Sequence, residues 1–267
     1  MIRVRTYSNE VDFWTSRKKR RRSRRVSALV FASVAFLVVT VQASAQSQER
    51  KQQPDLSGIW EQGGGMTGGA AGRGFSKEIP PLQPWAMEKY KANRTGLTSL
   101  DEKGLDALDP ITYCFPPGEP RSMIMPYPFE IVQKNTTIYI LFQFGSGIRR
   151  IYADGRKHSA DITPSWMGDS VGTWQGDTLV VDTVGFKPET WIDPTGVPHS
   201  DALHVVERFR LANDSTLEVQ FSFDDSKTFT RAWGGTRLYQ LANADTDMSA
   251  YFVCEENLEA GKPSATP

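Results

Sequence analysis

From Phe129 onward the chain is a succession of short apolar-alternating runs cut by turn residues, and this limits the fold more than any other feature. The runs are FEIVQ, TIYILFQF, IRRIYA, GTWQ, DTLVVDTVGF, LHVVERFRLA, TLEVQFSF, TFTRAW and AYFVCEE. Between them stand Asn135-Thr136, Gly145-Ser146-Gly147, Asp154-Gly155, Gly176-Asp177 and Asn213-Asp214, which is hairpin chemistry. Strands at this spacing with no intervening helices predict a mainly β, antiparallel barrel, with a β-sandwich as the alternative. Upstream, PWAMEKYKAN (84–93) predicts one short N-terminal helix, because proline is tolerated in a first turn.

The ends read differently. A basic run at 17–25, an apolar stretch at 26–41 and Ala-Ser-Ala at 43–45 predict a signal peptide over 1–45. The general secretory and twin-arginine routes both stay open. Residues 46–54 read as a disordered linker, 55–258 as one barrel domain with a Gly-rich loop at 63–74, and 259–267 as a disordered tail. Periplasmic or extracellular localisation follows. The apolar stretch is shorter than the roughly 20 residues of a membrane span, so no stable span is expected.

The leader holds ten of the 31 Lys and Arg and two of the 31 Asp and Glu, so the remainder is acidic by about eight charges. That argues against nucleic acid as a partner. Oligomeric state is not legible. Cys114 and Cys254 are the two cysteines, and in an oxidising compartment they most simply form one disulfide.

Alternate residues of a strand share a face, so parity sorts polar groups without a structure. In 203–211, Leu203, Val205, Glu207, Phe209 and Leu211 share one face, and His204, Val206, Arg208 and Arg210 the other. Glu207 is a carboxylate on an apolar face. Arg231, between Phe229 and Trp233, is a guanidinium on another apolar face, and a buried carboxylate needs a partner. Parity therefore predicts a Glu207–Arg231 pair, which Asp182, Arg149 or Arg150, and Tyr152 can join at the floor of a cavity. His199, Asp201, His204 and Glu207 tempt one toward a metal, but His204 and Glu207 face opposite ways. No metal and no cofactor are expected.

Trp166, Trp174, Trp191 and Trp233 fall in or beside these polar stretches. With Arg150, Tyr152 and Asp201 they predict a site for a small aromatic or sugar-like ligand. Catalysis is left open. A cofactor-free lyase, isomerase or hydrolase would use His204 or His199 as base, Arg231 to stabilise negative charge, and Glu207 or Asp182 as acid or orienting group. An envelope structural protein is the third class.

Two resemblances accompany these readings. Gly58-Ile59-Trp60 resembles the Gly-x-Trp near the start of lipocalin-like barrels, which implies that form of barrel. CFPPGEPR (114–121), RRIYADGRKH (149–158), PSWMGDSVGTWQGDTLVVDTVGF (164–186), PHSDALHVVERFR (198–210), TFTRAW (228–233) and CEEN (254–257) resemble a family of secreted bacterial proteins of unknown function. That resemblance implies export and brings no activity with it.

Overall fold

A computed structural model describes residues 53–63, 74–98 and 109–249. Nine strands close into a barrel: β1 Gly58–Gln62, β2 Phe129–Gln133, β3 Thr137–Phe142, β4 Ile148–Tyr152, β5 Asp169–Gln175, β6 Thr178–Val184, β7 His204–Asn213, β8 Thr216–Asp224 and β9 Trp233–Leu241. Each strand pairs with the next in sequence, and β9 returns to β1 through Glu61↔Gln240. The expected barrel is present and the sandwich is not needed. Every seam is antiparallel except β4–β5, which is parallel (Ile151↔Ser170) and requires residues 153–168 to carry the chain back along the outside. Turn chemistry alone did not disclose that crossing.

Parity holds along the strands. Ile138, Ile140 and Phe142 of β3, Leu179, Val181 and Thr183 of β6, and Val205, Glu207 and Phe209 of β7 are buried, while their alternates are only partly covered. With Phe129, Ile131, Leu217, Val219, Phe221, Phe223 and Tyr239 they fill the barrel with side chains. Where a ligand chamber was expected there is a packed core with a polar layer inside it.

Helix α1, Pro84–Thr98, runs a turn further than PWAMEKYKAN suggests. Its buried residues Ala86, Tyr90 and Asn93 recur at helical spacing and form a single stripe. Asn93 Nδ2 donates to the Gly196 carbonyl at 2.8 Å. Gly196 has φ +93, and a Cβ there would stand 2.9 Å from that of Asn93, so glycine lets helix and loop meet. Phe75 enters against Phe221 and Phe223, at 4.6 and 4.8 Å between ring centroids. A Cβ on Gly235 would collide with the Phe75 carbonyl, so the bare backbone of β9 admits this plug.

The last hairpin differs from expectation. TFTRAW was read as a strand, but β9 begins only at Trp233 and continues through Gly234-Gly235, a pair that looks like a breaker in sequence. Residues 226–228 form the turn, Phe229 bridges to Leu82, and Arg231 lies exposed in the bend that follows. AYFVCEE lies outside the described residues, as do the predicted leader and the terminal tail.

Among the described residues no helix is long and apolar enough to cross a membrane.

Candidate functional site

Three polar regions surround the barrel wall, and the predicted site residues are divided among them. The first is interior. Glu207 pairs with Arg149 rather than with Arg231. Arg149 Nη1 donates to Glu207 Oε1 at 2.9 Å and Nη2 to Oε2, a two-pronged arrangement natural to guanidinium and carboxylate. Arg149 also donates from Nε to Ser170 Oγ (3.2 Å) and from Nη2 to Thr183 Oγ1 (2.9 Å). Both charged groups are essentially inaccessible, so the pair is fixed and solvent cannot reach it.

Glu119 completes this layer, and sequence reasoning missed it. It follows Gly118 in a loop with no strand parity to reveal which way it points. Its Oε2 is 3.7 Å from Arg149 Nη1, and neither carboxyl oxygen has a hydrogen-bond partner among the described residues. Burial pushes its carboxyl up to about 8; the Arg149 charge opposes this and the Glu207 charge adds to it. Burial thus favours the protonated form of Glu119 beside the Arg149–Glu207 pair.

Arg149 was one of two candidate arginines, and Arg150 is the one that faces out. Its guanidinium lies 5.3 Å from the Tyr139 ring and 5.8 Å from that of Tyr152, while Arg156 covers Tyr152 at 3.8 Å. Arg150 and Tyr152 therefore belong to an outer cation–aromatic stack and do not line a barrel interior.

The second region is the end of the barrel covered by α1 and by residues 187–203. His199, expected at an open mouth, is buried. Its Nδ1 is 2.9 Å from the Ser200 carbonyl and so carries the proton, leaving Nε2 to accept from Thr190 Oγ1 at 2.9 Å. Burial depresses its pKa against the opposing backbone hydrogen bond, and the ring is a neutral structural group. Asp201 is exposed and pairs with Lys227 at 2.6 Å.

The four tryptophans do not converge. Trp166 stacks edgewise on Phe115 under Lys187, Trp174 packs on the core, and Trp191 lies under Arg121. Trp233 lines two concave regions. A cavity of about 230 Å³ is lined by Ser76, Lys77, Tyr90, Arg94, Asp193 and Trp233. A shallower groove of about 450 Å³ on the outer wall takes in Val206, Arg208, Gln220, Ser222 and Trp233. The Trp233 indole N–H is buried and has no acceptor among the described residues. Arg94 donates to the Tyr90 hydroxyl at 2.6 Å. Asp193 accepts from Thr195 N (2.9 Å) and Phe75 N (3.2 Å), and burial raises its carboxyl against these bonds.

The third region lies outside, across β5, β6 and β7. Asp182 was expected to join the interior cluster through Val180 and Val184, but the buried set of β6 is Leu179, Val181 and Thr183. Asp182 faces out, and there it meets His204: Nε2 is 3.0 Å from Asp182 Oδ1. The same oxygen is 2.9 Å from His158 Nε2, and His158 Nδ1 is 2.8 Å from Asp169 Oδ2. Both nitrogens of His158 face carboxylates, so this ring is the imidazolium form. Desolvation lowers its pKa, and the bonds to Asp169 and Asp182 outweigh that and raise it.

His158 and Asp169 escaped sequence reasoning. His158 lies in the 153–168 crossing, where no alternation assigns a face, and Asp169 opens a strand. A signal was nevertheless present: RRIYADGRKH, PSWMGDSVGTWQGDTLVVDTVGF and PHSDALHVVERFR, the stretches that carry the resemblance, supply all four side chains.

No family model matches the chain, and no curated protein matches it either. The resemblance rests on its motifs alone.

Proposed function

We propose that this is an exported protein that binds a small, ring-bearing organic molecule with an acceptor or acidic group at the Trp233 cavity. One observation carries the reading. A buried indole N–H without a partner costs free energy unless something accepts from it, and Trp233 lines a cavity whose other polar lining includes Lys77, Arg94 and Tyr90 beside the acids Glu78 and Asp193. The tryptophan face supplies apolar contact, and Lys77 and Arg94 offer donors to an acceptor group.

Export through the 1–45 leader and a Cys114–Cys254 disulfide belong to the same proposal. Cys114 follows a 3-10 turn, Pro110–Tyr113, in the left-handed region with φ 66, whereas Cys254 lies outside the described residues. Thiol titration of denatured, unreduced protein is expected to find no free thiol, and two free thiols would remove the disulfide from the account.

The binding reading is tested by capture of small molecules from a cell extract, mass spectrometry of what is retained, and titration of the captured compound. Trp233→Phe, which keeps a ring and deletes the donor, is expected to weaken binding about tenfold, the size of one neutral hydrogen bond. Failure to retain any compound, or equal affinity in Trp233→Phe and Arg94→Met, contradicts the proposal.

A second reading, acid–base catalysis, is favoured by the Asp182–His204 contact, an orienting carboxylate on a part-exposed base. In it Glu207, His199 and Arg231 lose their assigned roles, the first two by burial and the third by its position in an exposed bend. Chemical change in the captured compound, abolished by His204→Gln, separates this reading from simple binding.

A further inference from the structure

Asp182 Oδ1 receives two imidazole Nε2 atoms, from His158 and His204, at 2.9 and 3.0 Å. A single carboxylate oxygen that gathers two ring nitrogens is an uneconomical way to hold a surface. It is, however, the arrangement left when an ion's ligands close on one another. The remaining nitrogen of His158 is bonded to Asp169, the usual orienting contact for a metal-bound histidine, in which a second carboxylate fixes the tautomer and the ring plane.

The donors are supplied by separate pieces of chain. His158 comes from the 153–168 crossing, Asp182 from β6 and His204 from the first residue of β7. All three are partly exposed, with His204 and Asp182 at about two-fifths, so the side chains have room to shift and one face of the group is open to water. Their present spacing is that of hydrogen bonds, and no three His, Cys, Asp or Glu among the described residues are already spread to hold an ion. The gap is small. Around a tetrahedral ion with bonds of 2.0–2.1 Å, ligand atoms stand about 3.3 Å apart, a few tenths of an ångström beyond the distances here.

We propose that His158, Asp182 and His204 bind a divalent first-row transition ion of the zinc class, with Asp169 positioning His158. On binding, His158 releases its Nε2 proton to solvent and keeps the one on Nδ1, the Nε2 proton of His204 is exchanged through solvent for one on Nδ1, and the ion takes the freed positions. Two imidazoles and one carboxylate favour zinc, cobalt or nickel over magnesium or calcium, which prefer oxygen alone. Three protein ligands leave a fourth position toward solvent, the open form of such sites. The parallel seam between β4 and β5 gains a function in this account, because the crossing it requires is what brings His158 to β6 and β7. The inference is independent of the Trp233 cavity.

The test is calorimetric titration of untagged protein with Zn²⁺ and Co²⁺, together with the visible spectrum of the cobalt form. One ion per chain is expected, with cobalt bands of a low-coordinate site. Asp182→Asn and His204→Gln are expected to abolish saturable uptake, and Asp169→Asn, which keeps all three ligands, to weaken it 10–100-fold. Absence of saturable uptake, uptake unchanged in a His158→Gln, His204→Gln double variant, or equal saturation by Mg²⁺ would overturn the proposal. If a ligand variant does not fold, Asp169→Asn decides the matter: a 10–100-fold loss supports the site and unchanged affinity overturns it.

Discussion

Glu207 and His204 stand three residues apart on β7 and face opposite ways, and the two polar clusters they belong to make an instructive pair. Inside, Glu207 is held by Arg149, which is itself held by Ser170 and Thr183. Outside, His204 meets an Asp182 that it shares with His158, all within reach of water. Adjacent residues of β6 divide the same way, with Thr183 to the interior and Asp182 to the exterior. A charge that is sealed and fully paired contributes to the frame, and it cannot exchange partners without breaking the core. A charge that is partly exposed and shared contributes little to stability and keeps its chemistry available.

The two regions should respond very differently to mutation. Arg149→Met strands Glu207 in the core, and the expected cost is about 3–5 kcal/mol by equilibrium denaturation. A smaller loss would mean that water reaches the pair.

The interior cluster also predicts a pH dependence. Glu119 binds its proton up to about pH 8 in the folded chain, but only to its ordinary value near 4.5 when unfolded. The folded state therefore holds the extra proton between these values. This contribution is complete below about pH 4.5, and stability falls as pH rises toward 8, by on the order of 1 kcal/mol per unit at most. Glu119→Gln is expected to flatten that slope. His199 has the opposite sign: its folded pKa is depressed, so its contribution is present above about 6.5 and lost as the pH falls. Denaturation curves at pH 5, 6.5 and 8 for wild type and Glu119→Gln separate the two.

The smallest effect is expected outside. Asp182→Asn weakens two partly exposed imidazole–carboxylate contacts, and the expected cost is at most about 1 kcal/mol, reduced further by salt. A core-sized loss would erase the contrast between the clusters.

What the sequence disclosed follows the same division. Alternation placed Glu207 inside and His204 outside correctly, because β7 is long, regular and apolar on one face only. It failed for Asp182, whose strand carries valines on both faces, so its neighbours could not reveal its direction. It failed for Arg231 because Gly234-Gly235 looks like the end of a strand, when these glycines sit within β9 and Gly235 makes room for Phe75. Glu119 and His158 lie in connections, where no periodicity assigns a face and only tertiary packing decides. Trp233 was expected to touch a ligand, but the cavity beside it is lined by α1, residues 76–80, Asp193 and Thr195, far away in the chain.

The contrast rests on Glu207 belonging to Arg149 inside a closed frame, and a double-mutant cycle tests this most directly. Stability is measured for wild type, Arg149→Met, Glu207→Gln and the double variant, with Arg231→Met alone and with Glu207→Gln as the reference. The account predicts a coupling of about 1–3 kcal/mol between Glu207 and Arg149 and none between Glu207 and Arg231. Additive effects for the first pair, or coupling in the second, would contradict it.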